Sequence, residues 1–402
     1  MRFNNIPIGA KTWCLCAALA AGLPFAIPLG AQQFHPADVN QNRVIERNEL
    51  EALFLLPEWN QDLGTKMLRA VQLFNAGAYV EDATNPPPAG DGFKPARMTY
   101  LVLNLETNTV DRLEGVPAGG WTLEHKTTRL VLRRIPAGAF TMGSPANNTT
   151  GEQIYRNNNE TQHPVTLTRD YYIGVFPVTQ RQWEIVMGTR PGFFNHNDFY
   201  ATRPVENVSF ANTRGTGAAP AANSFLGRLR AQFAGAMDLH FDLPTEAQWE
   251  YACRAGSATS LNNHSNVTNA GAGGQPCPFL NAVARYIYNP VGNGGALRGA
   301  GLDTGTAAVG SFPANDWGLH DMHGNVQERC LDLCGSPIAA YSTAAATDPV
   351  STTGAHRIVR GGAWNLNVGP ARSAARRSEP ANGLPDSSIG LRVSAPMPAA
   401  MP

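Results

Sequence analysis

At 402 residues the chain exceeds the usual size of one domain, so a large domain with a smaller module beside it is expected. Charged residues make up 15% and cancel to a formal net charge of +0, which leaves no field to attract nucleic acid or an anionic membrane surface. Glycine at 40 residues and proline at 30, set between short apolar runs, point to a loop-rich fold of short strands and few helices.

Arg2 and Lys11 precede an apolar run over 13–27, and Gly30-Ala31 then gives way to Gln32-Gln33. This order reads as a secretory signal peptide over 1–31, cleaved after Ala31, and implies a secreted or periplasmic mature chain. The run is short for a membrane span, and no other segment approaches ~18 apolar residues, so no membrane insertion is expected after its removal. Cys14 and Cys16 leave with the signal. Cys253, Cys277, Cys330 and Cys334 remain in a compartment where disulfides persist, and their spacing does not choose a pairing.

The segment 38–49 has the pattern of a twelve-residue calcium loop of EF-hand or dockerin type. Asp38, Asn40 and Asn42 offer side-chain oxygens, Val44 a carbonyl, and Glu49 a closing carboxylate. Arg43 stands where a glycine normally makes the sharp turn, so weak binding of the extracellular kind is expected. The plainer alternative is a polar turn capping a helix that begins near Asn48. Met67, Leu68, Val71 and Phe74 follow at helical spacing and complete a helical module over 32–83. A proline- and glycine-rich linker covers 84–97, and the main domain covers 98–394 with strands expected over 98–104 and 128–133. The tail 395–402 carries nothing that would fix it.

In the main domain, Thr179 can cap a helix whose apolar face holds Trp183 and Val186. Thr245-Glu246-Ala247-Gln248 is a capping box at the start of another helix. His320, His323, Cys330 and Cys334 have passable zinc spacing, although oxidation of secreted thiols competes with that reading.

The chain carries, in order across 128–393, the blocks Ile135-Pro136-Ala137-Gly138, Pro204-Val205-Glu206-Asn207-Val208-Ser209-Phe210, Leu243-Pro244-Thr245-Glu246, Asp321-Met322-His323-Gly324-Asn325-Val326, Arg360-Gly361-Gly362-Ala363-Trp364 and Gly390-Leu391-Arg392-Val393. Together these blocks resemble the formylglycine-generating enzyme, or sulfatase-modifying factor, family. The resemblance implies an α+β, irregular, C-type-lectin-like fold with little regular secondary structure. It also implies copper(I) held by two cysteines spaced five apart after the Gly-Gly motif, as suits soft thiolates. The window 363–372 contains no cysteine, so no copper is expected. Ala363 stands at the family's active-site serine, Gln327 and Arg329 at two tryptophans, and Ser373 at a cysteine that pairs with the counterpart of Cys253.

A structural calcium site does survive the comparison, with Asp321 and Glu328 as carboxylates and Gly324 and Val326 as carbonyl donors. A second family calcium site would involve Asn281. Three functional readings follow: a calcium-stabilised binding or structural module without oxidase chemistry, an oxidase-type enzyme acting on a sulfatase cysteine, or a lectin-like variable ligand-binding protein. In the last, Trp364, Asn365, Asn367, Arg372 and Arg376 would contact a protein or glycan ligand, or the Asn and Arg side chains would instead satisfy loop backbone.

Overall fold

The computed structural model describes residues 100–146, 154–235, 239–267, 276–289 and 305–397, with the backbone of two short strands before them. The expected signal peptide and the calcium loop over 38–49 lie outside these residues. Two compact units divide the chain, Met1–Thr99 and Tyr100–Pro402. In the first, β1 (Tyr79–Glu81) pairs antiparallel with β2 (Phe93–Pro95). The segment expected to close a helical module and begin a linker thus holds a pair of strands. Tyr79 and Val80 favour extended backbone.

The second unit is built on a five-stranded sheet in the order β16-β8-β5-β3-β4. Its strands are β3 (Tyr100–Asn104), β4 (Val110–Leu113), β5 (Arg129–Ile135), β8 (Tyr171–Gly174) and β16 (Ser394–Pro396). Every neighbouring pair in it is antiparallel. Ala395 lies opposite Tyr172, and Met397 N–H bonds Asp170 O at 3.1 Å, so the chain stays docked beyond the point where a flexible tail was expected. A second sheet joins β6 (Gly138–Met142), β7 (His163–Leu167) and β12 (Ala346–Thr347). A third runs β14-β13-β11-β15, from Arg377–Pro380, His356–Arg360, Gln327–Cys334 and Ile389–Gly390. The short parallel pair β9 (Ala284–Arg285) and β10 (His323–Gly324) completes the set.

Among the described residues, five short helices pack on this frame: α1 (Gln180–Met187), α2 (Phe210–Thr213), α3 (Phe225–Phe233), α4 (Glu246–Arg254) and α5 (Pro278–Asn281). Both α1 and α4 start in complete capping boxes, Thr179 with Gln182 and Thr245 with Gln248, which satisfy amides that a helix start leaves open. Trp183 of α1 lies flat on Phe225 of α3 at 5.1 Å, inside a core that includes Leu101, Leu132, Phe210 and Leu391. Truncating such a ring would cost ~3–5 kcal/mol. Trp249 and Ala252 of α4 belong to a second core with Tyr171, Ile173, Met322, Cys330 and Ile358. These cores hold β11, β13 and α4 against one another, and the loops that leave them form the candidate site. No helix of the described residues is long and apolar enough to cross a membrane.

Candidate functional site

From β13 the chain turns on Gly361 and Gly362, at φ +95 and +74. A Cβ on Gly362 would stand 2.9 Å from Ala371 Cα, so the loop closes on itself only because that side chain is missing. Trp364 is anchored at both ends. Its backbone N–H bonds Asn325 O and its Nε1 bonds Ser387 O, each at 3.0 Å. The ring meets Phe194 at 5.0 Å and 85°, and Phe194 meets Phe193 at 5.1 Å and 80°. Trp364 is half-buried, whereas Asn365 and Asn367 are exposed.

Arg372 and Arg376 do not join them at the surface. Arg372 is fully buried and forks onto Glu160 at 2.6 and 2.8 Å, with a third bond to Tyr155 O. Arg376 forks onto Glu246 at 2.8 and 2.9 Å and donates to the carbonyls of Asn159 and Ala339. Their terminal amino groups are spent inside, because a buried guanidinium is tolerable only when paired and hydrogen-bonded. Arg360 follows the same rule with Glu250 and the carbonyls of Ser373, Ala374 and Ala375. Arg329, at a family tryptophan position, forks onto Glu379 at 2.6 and 3.1 Å.

The thiols are equally enclosed. Cys253, Cys277, Cys330 and Cys334 are all buried and free, so the disulfides that the sequence permitted are not formed among them. Cys253 Sγ stands 3.7 Å from Ser373 Oγ and 3.9 Å from His323 Nε2. Burial pushes its thiol up to about 12, so the nucleophilic thiolate is disfavoured. His323 Nδ1 lies 2.6 Å from Ala371 O, while Nε2 accepts from Asn262 N–H at 3.0 Å. That pair of partners fixes a neutral ring protonated on Nδ1, and burial holds its pKa down at about 4. His320 bonds Phe312 O through Nδ1 and stacks on Phe176. Among the described residues no three His, Cys, Asp or Glu side chains come together to hold a metal, so the zinc spacing is not built into a site.

The proposed calcium ligands divide. Asp321 is buried; its Oδ2 accepts Gly310 N–H at 2.7 Å, and its Oδ1 has no partner. Burial raises its pKa to about 6, and an unpaired buried oxygen of this kind fits a hard cation. Glu328 is already engaged by Arg392 at 2.7–3.0 Å and by Trp249 Nε1 at 2.7 Å. Calcium there would have to share Glu328 with that guanidinium. Gly324, at φ +87, packs so tightly on Arg285 that a Cβ would fall 2.1 Å from its carbonyl oxygen, and Val326 is buried beside it. Asn281, of the looser second site, accepts from Tyr286 Oη at 2.6 Å.

Glu206, Phe193 and Phe194 escaped the reading of the sequence. Glu206 lies inside a block that reads as structural, and only its charge within an apolar run hints otherwise. It is fully buried, its Oε1 accepts Phe194 N–H at 2.9 Å, and its Oε2 has no partner.

The family profile described as Sulfatase-modifying factor enzyme 1-like domain matches residues 124–395. The chain is 29% identical over 266 residues to Chaperone protein LppX of Paenibacillus barcinonensis, covering 57% of this chain and 81% of that one. It is 33% identical over 159 residues to the formylglycine-generating enzyme of Mus musculus, covering 38% of each chain. The corresponding figure for the Mycobacterium tuberculosis enzyme is 42% over 86 residues, covering 21% of this chain and 25% of the enzyme. The chain therefore spans well under half of the length of these two enzymes. Treponema denticola variable protein 1 superposes with a TM-score of 0.50 at 23% identity, covering 68% of this chain and 97% of that one, a likeness of fold. With its mixed sheets, few helices and matched motifs, the chain belongs to the sulfatase-modifying factor enzyme 1-like family and has that family's α+β, C-type-lectin-like fold.

Proposed function

We propose that the protein is a secreted or periplasmic binding or structural module of this family, stabilised by calcium and without oxidase chemistry. The observation that carries the reading is the chemistry around the Gly361-Gly362 turn. The window 363–372 offers no thiolate, and the nearby Cys253 faces the Ser373 hydroxyl, which cannot join it in a soft two-sulfur site. Trp364, Asn365 and Asn367 remain at the surface of that loop and suit recognition of a protein or glycan ligand, as the lectin-like reading requires. Calcium is assigned to Asp321, the carbonyls of Gly324 and Val326, and one oxygen of Glu328 shared with Arg392. A second, weaker site is assigned to Asp38, Asn40, Asn42, Val44 and Glu49.

A Cys-x-Pro-x-Arg peptide incubated with the purified protein, with and without copper, tests the central claim. Mass spectrometry is expected to find the thiol intact. Protein-dependent formation of the aldehyde would establish the rival, an oxidase-type enzyme.

A further inference from the structure

Most buried glutamates among the described residues have an arginine. Glu160 pairs with Arg372, Glu246 with Arg376, Glu250 with Arg360 and Arg254, Glu328 with Arg392, and Glu379 with Arg329. Glu206 is equally buried and has none. Arg203 influences it through space without forming an ion pair, and its guanidinium lies 5.9 Å from the Phe199 ring centre. Asp386, the other charge that acts on it, is exposed and spends Oδ1 on the N–H and hydroxyl of Ser388. A second acceptor is also stranded nearby: Gln180 donates through Nε2 to Phe194 O at 3.1 Å, while its buried Oε1 has no partner. Both side chains therefore grip the backbone of Phe194 and keep an unused oxygen.

The ring of Phe194 packs edge to face with Phe193 at 80° and with Trp364 at 85°. Phe193 is 38% exposed, Trp364 is half-buried and Asn365 beside it faces solvent, while Phe194 is buried between the two rings, so the solvent-facing surface of the corner belongs to Phe193 and Trp364. Ring faces carry partial negative charge and attract organic cations, most strongly where water is excluded. A buried carboxylate behind them adds a field of the same sign in a low-dielectric setting. We propose that the Phe193–Phe194–Trp364 corner, backed by Glu206, is a subsite for the alkylammonium group of a ligand. A metal ion is the poorer occupant, because two of the three walls are hydrocarbon rings without oxygen donors. The ligand stabilises the ionised form of Glu206, which burial otherwise holds back to a pKa of about 7. Binding is therefore coupled to loss of a proton from that carboxyl.

The inference rests on the reading of the Trp364 loop as a ligand surface. Calorimetry of the full chain with choline, with its uncharged isostere 3,3-dimethylbutanol, and with a trimethyllysine peptide tests it. Choline tightens as pH rises toward 7, by about tenfold in all, and levels off above, and the isostere binds at least about tenfold more weakly. Tighter binding of the peptide than of choline assigns the ammonium to a protein ligand, and the reverse to a small molecule. Glu206→Gln removes the pH dependence and weakens binding about tenfold, and Trp364→Ala weakens it comparably. Should Glu206→Gln fail to fold, the isostere and Trp364→Ala still decide. Equal affinity for choline and its isostere, unchanged binding by Glu206→Gln, or no binding of either ammonium overturns the proposal. None of these results alters the outcome of the peptide-oxidation assay, so the subsite and the module reading fail separately.

Discussion

Burial outweighs the nearby cations in setting the acid–base behaviour of Glu206, Asp321 and Asp332, which rise to about 7, 6 and 7. An acid whose pKa is higher folded than unfolded favours the folded state fully at low pH. That contribution is lost as pH rises from the unfolded value through the folded one, between roughly 4 and 7 here. His323 acts at the other end: lowered to about 4, it supports the fold above its unfolded value near 6.5 and stops doing so as pH falls toward 4. Glu206→Gln gives a clean test, because its carbonyl can still accept Phe194 N–H while the charge is gone. Urea unfolding should find the variant equal to wild type at pH 4.5 and more stable at pH 8, by on the order of 3 kcal/mol. An unchanged difference between the two pH values would show that Glu206 ionises freely in the folded protein.

Helix starts and motif blocks were legible in the sequence because their chemistry is local. Thr245 and Gln248 stand three residues apart, and the structure closes the capping box that the spacing announces. The arginines of the 363–376 segment were not legible in the same way. Arg372 meets Glu160 and Arg376 meets Glu246 across long stretches of chain, and nothing in the local pattern names those partners. A surface role was therefore open to them that the folded chain withdraws. Glu206 was hidden for the converse reason, since a carboxylate that lacks a partner leaves no spacing to read. The buried pairs imply unequal costs. Glu160→Gln strands Arg372, and also weakens the acceptor used by Ser144 Oγ and Asn157 N–H, so it should cost ~3–5 kcal/mol in chemical denaturation. Glu184→Gln breaks the half-exposed pair with Arg181 and should stay within ~1 kcal/mol. Comparable losses from both would mean that the Arg372–Glu160 pair is hydrated in solution.

Across the whole molecule, the family frame is kept while the window 363–372 carries no cysteine, and the calcium proposal centres on Asp321. A cation bound only by the folded state stabilises by RT ln(1 + [L]/Kd), ~2.7 kcal/mol at a hundredfold excess over Kd. For a domain of this size, that corresponds to a rise of roughly 5–10 °C in melting temperature. The Asp321 carboxylate must be ionised to bind, and burial alone holds its pKa at about 6, so the gain should shrink as pH falls from 7.5 to 5. Asp321→Ala should melt alike in calcium and in chelator, whereas Glu49→Gln should keep the shift of the main unit, because the loop over 38–49 belongs to the other compact unit. Scanning calorimetry of wild type at pH 7.5 decides the matter first. Identical melting in calcium and in chelator would mean that Arg392 alone satisfies Glu328 and that the free oxygen of Asp321 takes no metal.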